Sequence, residues 1–94
     1  LDMDLVVPLV SEWRIDRAKL LEAMDDEEAA RVQWLLASEL KLEPTQEIEV
    51  RLALAKSFLA LGDKDEAAYH LTRVLDLDPK NAEARELMKL TDED

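Results

Sequence analysis

Ninety-four residues, 48% of them apolar, carry 23 acids against 12 bases for a formal net charge of −11, with a single Gly and no Cys. A chain of this length supports one core and leaves no room for a deep catalytic cleft beside it, and its apolar share argues against a disordered tail. Without cysteine there is no disulfide framework, thiolate zinc site or Cys nucleophile, which fits a reducing compartment, so a cytoplasmic location is expected.

The charge is dispersed: residues 1–44 hold 11 acids and 5 bases, residues 45–94 hold 12 and 7. Such a surface repels phosphate backbones and anionic lipid, so no nucleic acid is expected as a partner; a basic protein fits better, and solubility is the simpler use of the charge. No apolar run approaches the roughly 20 residues of a membrane span, so no direct membrane insertion is expected. The N-terminal LDMDLVVPLV lacks the basic flank of a signal peptide. The chain opens on Leu1 rather than Met, as a piece of a longer protein would.

Helical spacing runs through almost the whole sequence. Trp13, Leu20, Leu21 and Met24 recur at roughly three- and four-residue steps and predict a first helix over 9–24, with Pro8 tolerated at its start. Met24-Asp25-Asp26 is the predicted break, because an Asp followed by Glu27 and Glu28 marks a helix N-terminus. A second helix follows over 27–42 with Ala29, Val32, Leu36 and Leu40 on one face, and Pro44 stops it. Thr45 caps a third, 46–61, whose Ile48, Leu52, Ala55, Phe58 and Leu59 share a side that Leu54 and Leu61 widen. Gly62 ends it in the left-handed conformation, and Asp63 with Glu66 opens the next helix, a connection short enough to force an antiparallel αα-hairpin. The fourth helix carries Ala67, Ala68, Leu71, Val74 and Leu75 and ends at Asp78-Pro79. Asn81 caps a fifth with Ala84, Leu87, Met88 and Leu90 on its apolar face, and Thr91 to Asp94 are expected to fray.

The phrase ELKLEP returns as VLDLDP. At an ungapped offset of 35, Trp34 falls on Tyr69, Leu36 on Leu71, Leu40 on Leu75, Leu42 on Leu77, Glu43 on Asp78 and Pro44 on Pro79. Toward the N-terminus the match fails, with Val32 on Ala67 and Glu27 on Gly62, so the first unit reads as a divergent copy.

A period near 34 with two helices per unit resembles the tetratricopeptide repeat, and Ile48 to Asn81 resembles one full motif. On that motif Leu54 and Phe58 match the first helix, Gly62 the turn, Ala67 the small residue where the helices cross, Leu71 and Val74 the second helix and Pro79 the terminal proline. The sequence departs at Arg51, where the family prefers Trp, at Ala55, where it prefers Gly, and at Val74, where it prefers Ala. The resemblance implies an all-α fold of about five helices, antiparallel αα-hairpins in a right-handed superhelical stack, as one domain over 1–94. Within it, 9–44 would be a divergent first motif, 48–81 a full motif and 82–91 a capping helix. The stretch EVRLALAKSFLALGDKDEAAYHLTRVL is also similar to the C-terminal repeat of FimV-like bacterial polar hub proteins, which would make the chain a self-associating scaffold domain.

No catalytic constellation stands out, and an enzyme is not expected. His70 is the single histidine and reads as a surface residue; Asp25-Asp26-Glu27-Glu28 lacks the glycine and spacing of a calcium loop; Ser11, Ser38 and Ser57 have no nearby His or elbow glycines. No metal and no cofactor is therefore expected. The resemblance instead implies protein–protein interaction, with a peptide or helix of a larger assembly, basic or amphipathic, in a groove at Glu49, Leu52, Lys56, Leu59 and Ala60. The asparagines with which some relatives clamp a C-terminal carboxylate are absent, their places held by Ala53 and Lys56. The alternative is that Glu49 and Lys56 are ordinary surface residues and that Leu52 and Leu59 pack on the first hairpin. Trp13 and Trp34 lie on apolar stripes, where core packing is the first expectation and service as interface anchors the second. Fewer than two complete motifs leave apolar ends, so a homo-oligomer or an intimate partner is expected.

Overall fold

The computed structural model describes residues 3–92, with side chains from Val10 onward. Five α-helices follow one another: α1 (Met3–Ala23), α2 (Glu27–Ser38), α3 (Pro44–Leu61), α4 (Lys64–Leu77) and α5 (Ala82–Thr91). The architecture is all-α: α1 pairs with α2 and α3 with α4 as antiparallel hairpins, α2 packs on α3, and α5 closes the stack against α4 and α3. The stack measures 50 × 30 × 18 Å.

Three boundaries differ from those predicted. The first helix starts at Met3, so Pro8 lies in its second turn, where its missing N–H leaves one carbonyl without a helical partner. The second ends at Ser38 instead of 42, and Pro44 does not stop it but opens α3. A residue before proline is pushed to extended backbone, the conformation an N-cap needs, and Glu43 adopts it with φ −66° and ψ 151°. Glu43, not Thr45, is therefore the cap, and its N–H donates to Gln46 Oε1 at 3.2 Å. At the other end Thr91 is still helical, its hydroxyl donating to the Met88 carbonyl at 2.7 Å; the predicted fraying of 93–94 lies outside the described residues.

The predicted faces of the first two helices are largely turned outward, although Leu21 packs against the core and Ala29 and Leu40 are half-buried. Trp13, Leu20 and Met24 are more than half exposed, as are large parts of Val32 and Leu36, while Ser11, Ile15, Ala18, Ala30, Trp34 and Ala37 are buried. Both helices carry apolar residues on two opposite sides, and periodicity cannot choose between them. Small residues decide: Ser11, Ala18, Ala30 and Ala37 let α1 and α2 approach closely, and close approach gains dispersion contacts that bulky side chains would prevent. In the second hairpin Val50, Leu54, Ala55, Ala67, Leu71 and Val74 are fully buried. Two buried clusters result, one joining α1, α2 and α3 and one joining α3, α4 and α5.

The structural repeat has a period of 37 between the two hairpins, not 35. At 35 the partners disagree: Trp34 is buried and Tyr69 is 55% exposed, Leu36 is 37% exposed and Leu71 fully buried. At 37 the buried Ala30, Trp34 and Ala37 fall on the buried Ala67, Leu71 and Val74. The turns match as well. Asp25 (φ 61°) and Gly62 (φ 81°) both take left-handed backbone. Asp25 donates to the Glu22 carbonyl as Gly62 does to that of Leu59, both at 3.0 Å, and Asp26 to Leu21 as Asp63 to Phe58, both at 2.9 Å. Each is a Schellman close of a helix C-terminus. Asp26 and Asp63 then cap the following helix by accepting from the N–H three residues on, both at 3.2 Å. The first hairpin thus reproduces the turn of the second and the core face of its second helix, where the sequence offset shows a copy with only its closing half retained. Between α3 and α5 the spacing falls to 34, with buried Val50 answered by buried Ala84, because α3 has an additional first turn that Pro44 opens.

Candidate interaction groove

The three helices in equivalent places, α1, α3 and α5, line an open groove of about 460 Å³. Its floor is Ile48, Leu52 and Ala53 of α3 with Trp34 of α2 beneath; Lys19 and Glu22 of α1 form one wall and Glu83 of α5 the other. Two ion pairs bridge the helices at corresponding positions. Lys19 Nζ lies 3.0 Å from Glu49 Oε2, and Lys56 pairs with Glu83. Lys19 and Lys56 are 37 apart and Glu49 and Glu83 34 apart, so the same contact is written twice in the two periods. All four side chains are about half exposed. Their pairing therefore adds little stability in water, and its effect is to fix the groove edges and neutralise four charges. Glu22 has no ion-pair partner among the described residues, so the groove is left with one surplus negative charge.

Of the predicted groove residues, the structure brings Glu49, Leu52 and Lys56 together here. Leu59, half-buried, and Ala60, exposed, lie farther along α3 and do not line it. Trp34 is buried, and its Nε1 makes no hydrogen bond. Trp13 is 54% exposed, contrary to the core packing expected of it, and holds the Arg14 and Arg17 guanidiniums at 5.0 and 5.5 Å from its ring. Sequence reasoning missed Lys19, Glu22 and Glu83. The signal for Lys19 and Glu83 was present as repeated Lys and Glu spacings, but it is visible only at the correct period.

A second polar cluster lies inside the α3–α4 hairpin. His70 is not a surface residue but is 3% exposed, and Arg51, at the position where a Trp is expected, is buried beside it. Arg51 Nη1 donates to His70 Nδ1 at 3.0 Å, which places the ring proton on Nε2. Glu66 stands 4.0 Å from that nitrogen, too far for a hydrogen bond. Phe58 stacks on the imidazole, Tyr69 meets it edge-on and also lies under Arg51, and Glu47 is 3.7 Å from Arg51 Nε. Burial and then the Arg51 charge lower the His70 pKa to about 4. The ring is therefore neutral at pH 7 and is committed to packing. The first hairpin has the same link at the same places: Arg14 Nη1 donates to Gln33 Oε1, also at 3.0 Å. Ser57 accepts from Arg31 at 3.1 Å and Ser38 donates to the Leu35 carbonyl at 2.7 Å, so both hydroxyls are held in structural bonds.

Among the described residues no group of three His, Asp or Glu side chains is placed to hold a metal ion, and no helix is long and apolar enough to cross a membrane. In comparisons with known protein families and with curated proteins, the chain matches no family model and none of the curated sequences.

Proposed function

We propose that the chain is a non-catalytic protein-binding module of tetratricopeptide type that takes a peptide or helix of a partner in the groove on α1, α3 and α5. The observation that carries this reading is the convergence of Glu49, Leu52 and Lys56 with Lys19, Glu22 and Glu83 around one open apolar floor. The burial of Leu54, Ala55, Ala67, Leu71 and Val74 supports the family resemblance, since these are the positions at which its motif packs one helix on another.

The groove chemistry defines the ligand. Ile48 and Leu52, both half-buried, offer contact to one or two apolar side chains. The ion pairs leave Lys19 and Lys56 neutralised, so the surplus Glu22 selects a Lys or Arg of the ligand. Selection of displayed peptides against the domain tests this. Recovered sequences should combine apolar and basic residues and bind at least tenfold more weakly to Leu52→Glu, and Glu22→Lys should reverse the preference for basic residues. Peptides bound equally by wild type and both variants would reject the groove.

A further inference from the structure

The two ends of the stack differ. At the C-terminal end α5 turns Arg85, Glu86 and Lys89 to solvent, with Lys89 paired to Glu86 at 3.1 Å, and exposes one large apolar side chain, Leu90. At the N-terminal end α1 exposes Val10, Trp13 and Leu20, the turn after it exposes Met24, and α2 exposes Val32, Leu35 and Leu36. With the exposed Arg17 between Trp13 and Leu20, the stripe on α1 falls at steps of three and four residues and lies opposite Ile15, Ala18 and Lys19, the side that meets α2 and α3. On α2, Val32 and Leu36 lie opposite Ala30, Trp34 and Ala37. Both stripes therefore point away from α3, out of the end of the stack.

The internal repeat shows what kind of element this surface accepts. At 37 residues' distance Trp13 corresponds to Val50, Arg17 to Leu54 and Leu20 to Ser57. Those three α3 residues are buried, Val50 and Leu54 in one cluster with Ala30, Trp34 and Ala37 of α2, and Ser57 in a hydrogen bond with Arg31 of α2. The α1 stripe is thus the counterpart of a helix-binding face. At its centre is Arg17, where α3 has a leucine. Neither Arg17 nor Arg14 has an ion pair among the described residues. A helix covering them must supply carboxylates, because a buried guanidinium without one is strongly unfavourable.

This chain holds a helix with that pattern. The exposed stripe of α2 and its C-cap reads Glu28, Val32, Leu35, Leu36, Glu39, apolar in the middle and acidic at both ends, and neither glutamate has an ion pair among the described residues. In an antiparallel hairpin closed at Asp25 and Asp26, Glu39 lies at the level of the Val10–Arg14 turn. We infer that the α1–α2 end is a self-association surface, covered by the same end of a second copy. A two-fold axis running between the helices places α2 of each copy over α1 of the other, brings Glu39 within reach of Arg14 and Arg17, and covers both apolar stripes at once. The competing two-fold, α1 over α1, would set Arg17 against its own copy. The exposed side chains form a patch on the order of several hundred Å², the size that marks an interaction site on a soluble protein.

Sedimentation equilibrium of the 94-residue chain from micromolar to millimolar concentration tests this. The mass should rise from 10.7 kDa toward twice that value. Arg17→Glu and Glu39→Arg should each weaken it at least tenfold, and the two together should restore it to within about threefold of wild type. Met24→Lys should also abolish it while circular dichroism remains helical. Leu52→Glu, in the groove, should leave it unchanged, so loss of peptide binding and loss of association are separable. A monomer at every concentration would overturn the inference, as would a dimer insensitive to charge reversal or a combined variant no better than either single one.

Discussion

Replacing His70 by Gln should remove a specific pH dependence of stability. In the folded chain His70 takes its proton near pH 4, against 6.5 for the free side chain. Between those values the unfolded chain holds the extra proton and the folded chain does not, so stability falls as pH falls. The contribution is fully present above about pH 6.5 and is lost as the pH drops through 4. At about 1.4 kcal/mol per pH unit the total is about 3 kcal/mol, a large part of the stability of a domain this small. Gln is the informative substitute because the first hairpin already has Gln33 bonded to Arg14 at the equivalent place, so Arg51 keeps an acceptor. The loss of ring stacking on Phe58 shifts both ends of the curve alike. Urea midpoints at half-unit steps from pH 7.5 to 4.5 should show wild type losing about 3 kcal/mol relative to His70→Gln. Protonation of the many surface carboxylates is common to both proteins and cancels in the difference. Parallel curves, or an imidazole NMR titration midpoint near 6.5, would refute the buried arginine–histidine pair.

Two further perturbations test the hairpins. Ala67 is fully buried where α3 and α4 cross, so Ala67→Phe should overpack the junction by about 1–3 kcal/mol, and an unchanged denaturant midpoint would count against that packing. Gly62 and Asp25 share left-handed backbone, and nothing lies within 4 Å of a Cβ built on Gly62. Gly62→Ala should therefore cost about 1 kcal/mol from backbone strain alone, and Asp25→Gly should gain a comparable amount, both read as shifts in urea midpoint.

Caps and breakers were the legible part of the sequence. Asp26, Asp63 and Asn81 cap as predicted and Gly62 ends α3 as predicted, because each acts through its own backbone and needs no distant partner. At position 44 the sequence predicts a helix stop, whereas the proline opens α3. A proline after a helical run and a proline at the start of the next helix are the same letter, and only the length of the intervening connection separates them. The doubled LEP and LDP phrase misled for the same reason: Pro44 is the first residue of α3, whereas Pro79 sits in the loop before the Asn81 cap. Register followed that error. With Pro44 set on Pro79, Trp34 was matched to an exposed tyrosine, and the recurrence of Arg14, Lys19 and Asp26 as Arg51, Lys56 and Asp63 went unseen. Trp34 was legible as a core residue of α2 and is buried, but most of the α1 and α2 core faces were not, because alanine and serine carry almost no hydrophobic signal, yet they set how closely two helices approach.

The order of packing also has a mechanical consequence. Each helix rests on its neighbours in the chain or on the next but one, and among the described residues no segment threads back to lock a distant one. Tension applied between the two ends therefore finds no single clamp whose failure releases everything. The domain would lengthen in steps, one hairpin at a time, and re-form in the same units when the load is removed, as a spring of two coils rather than a latch.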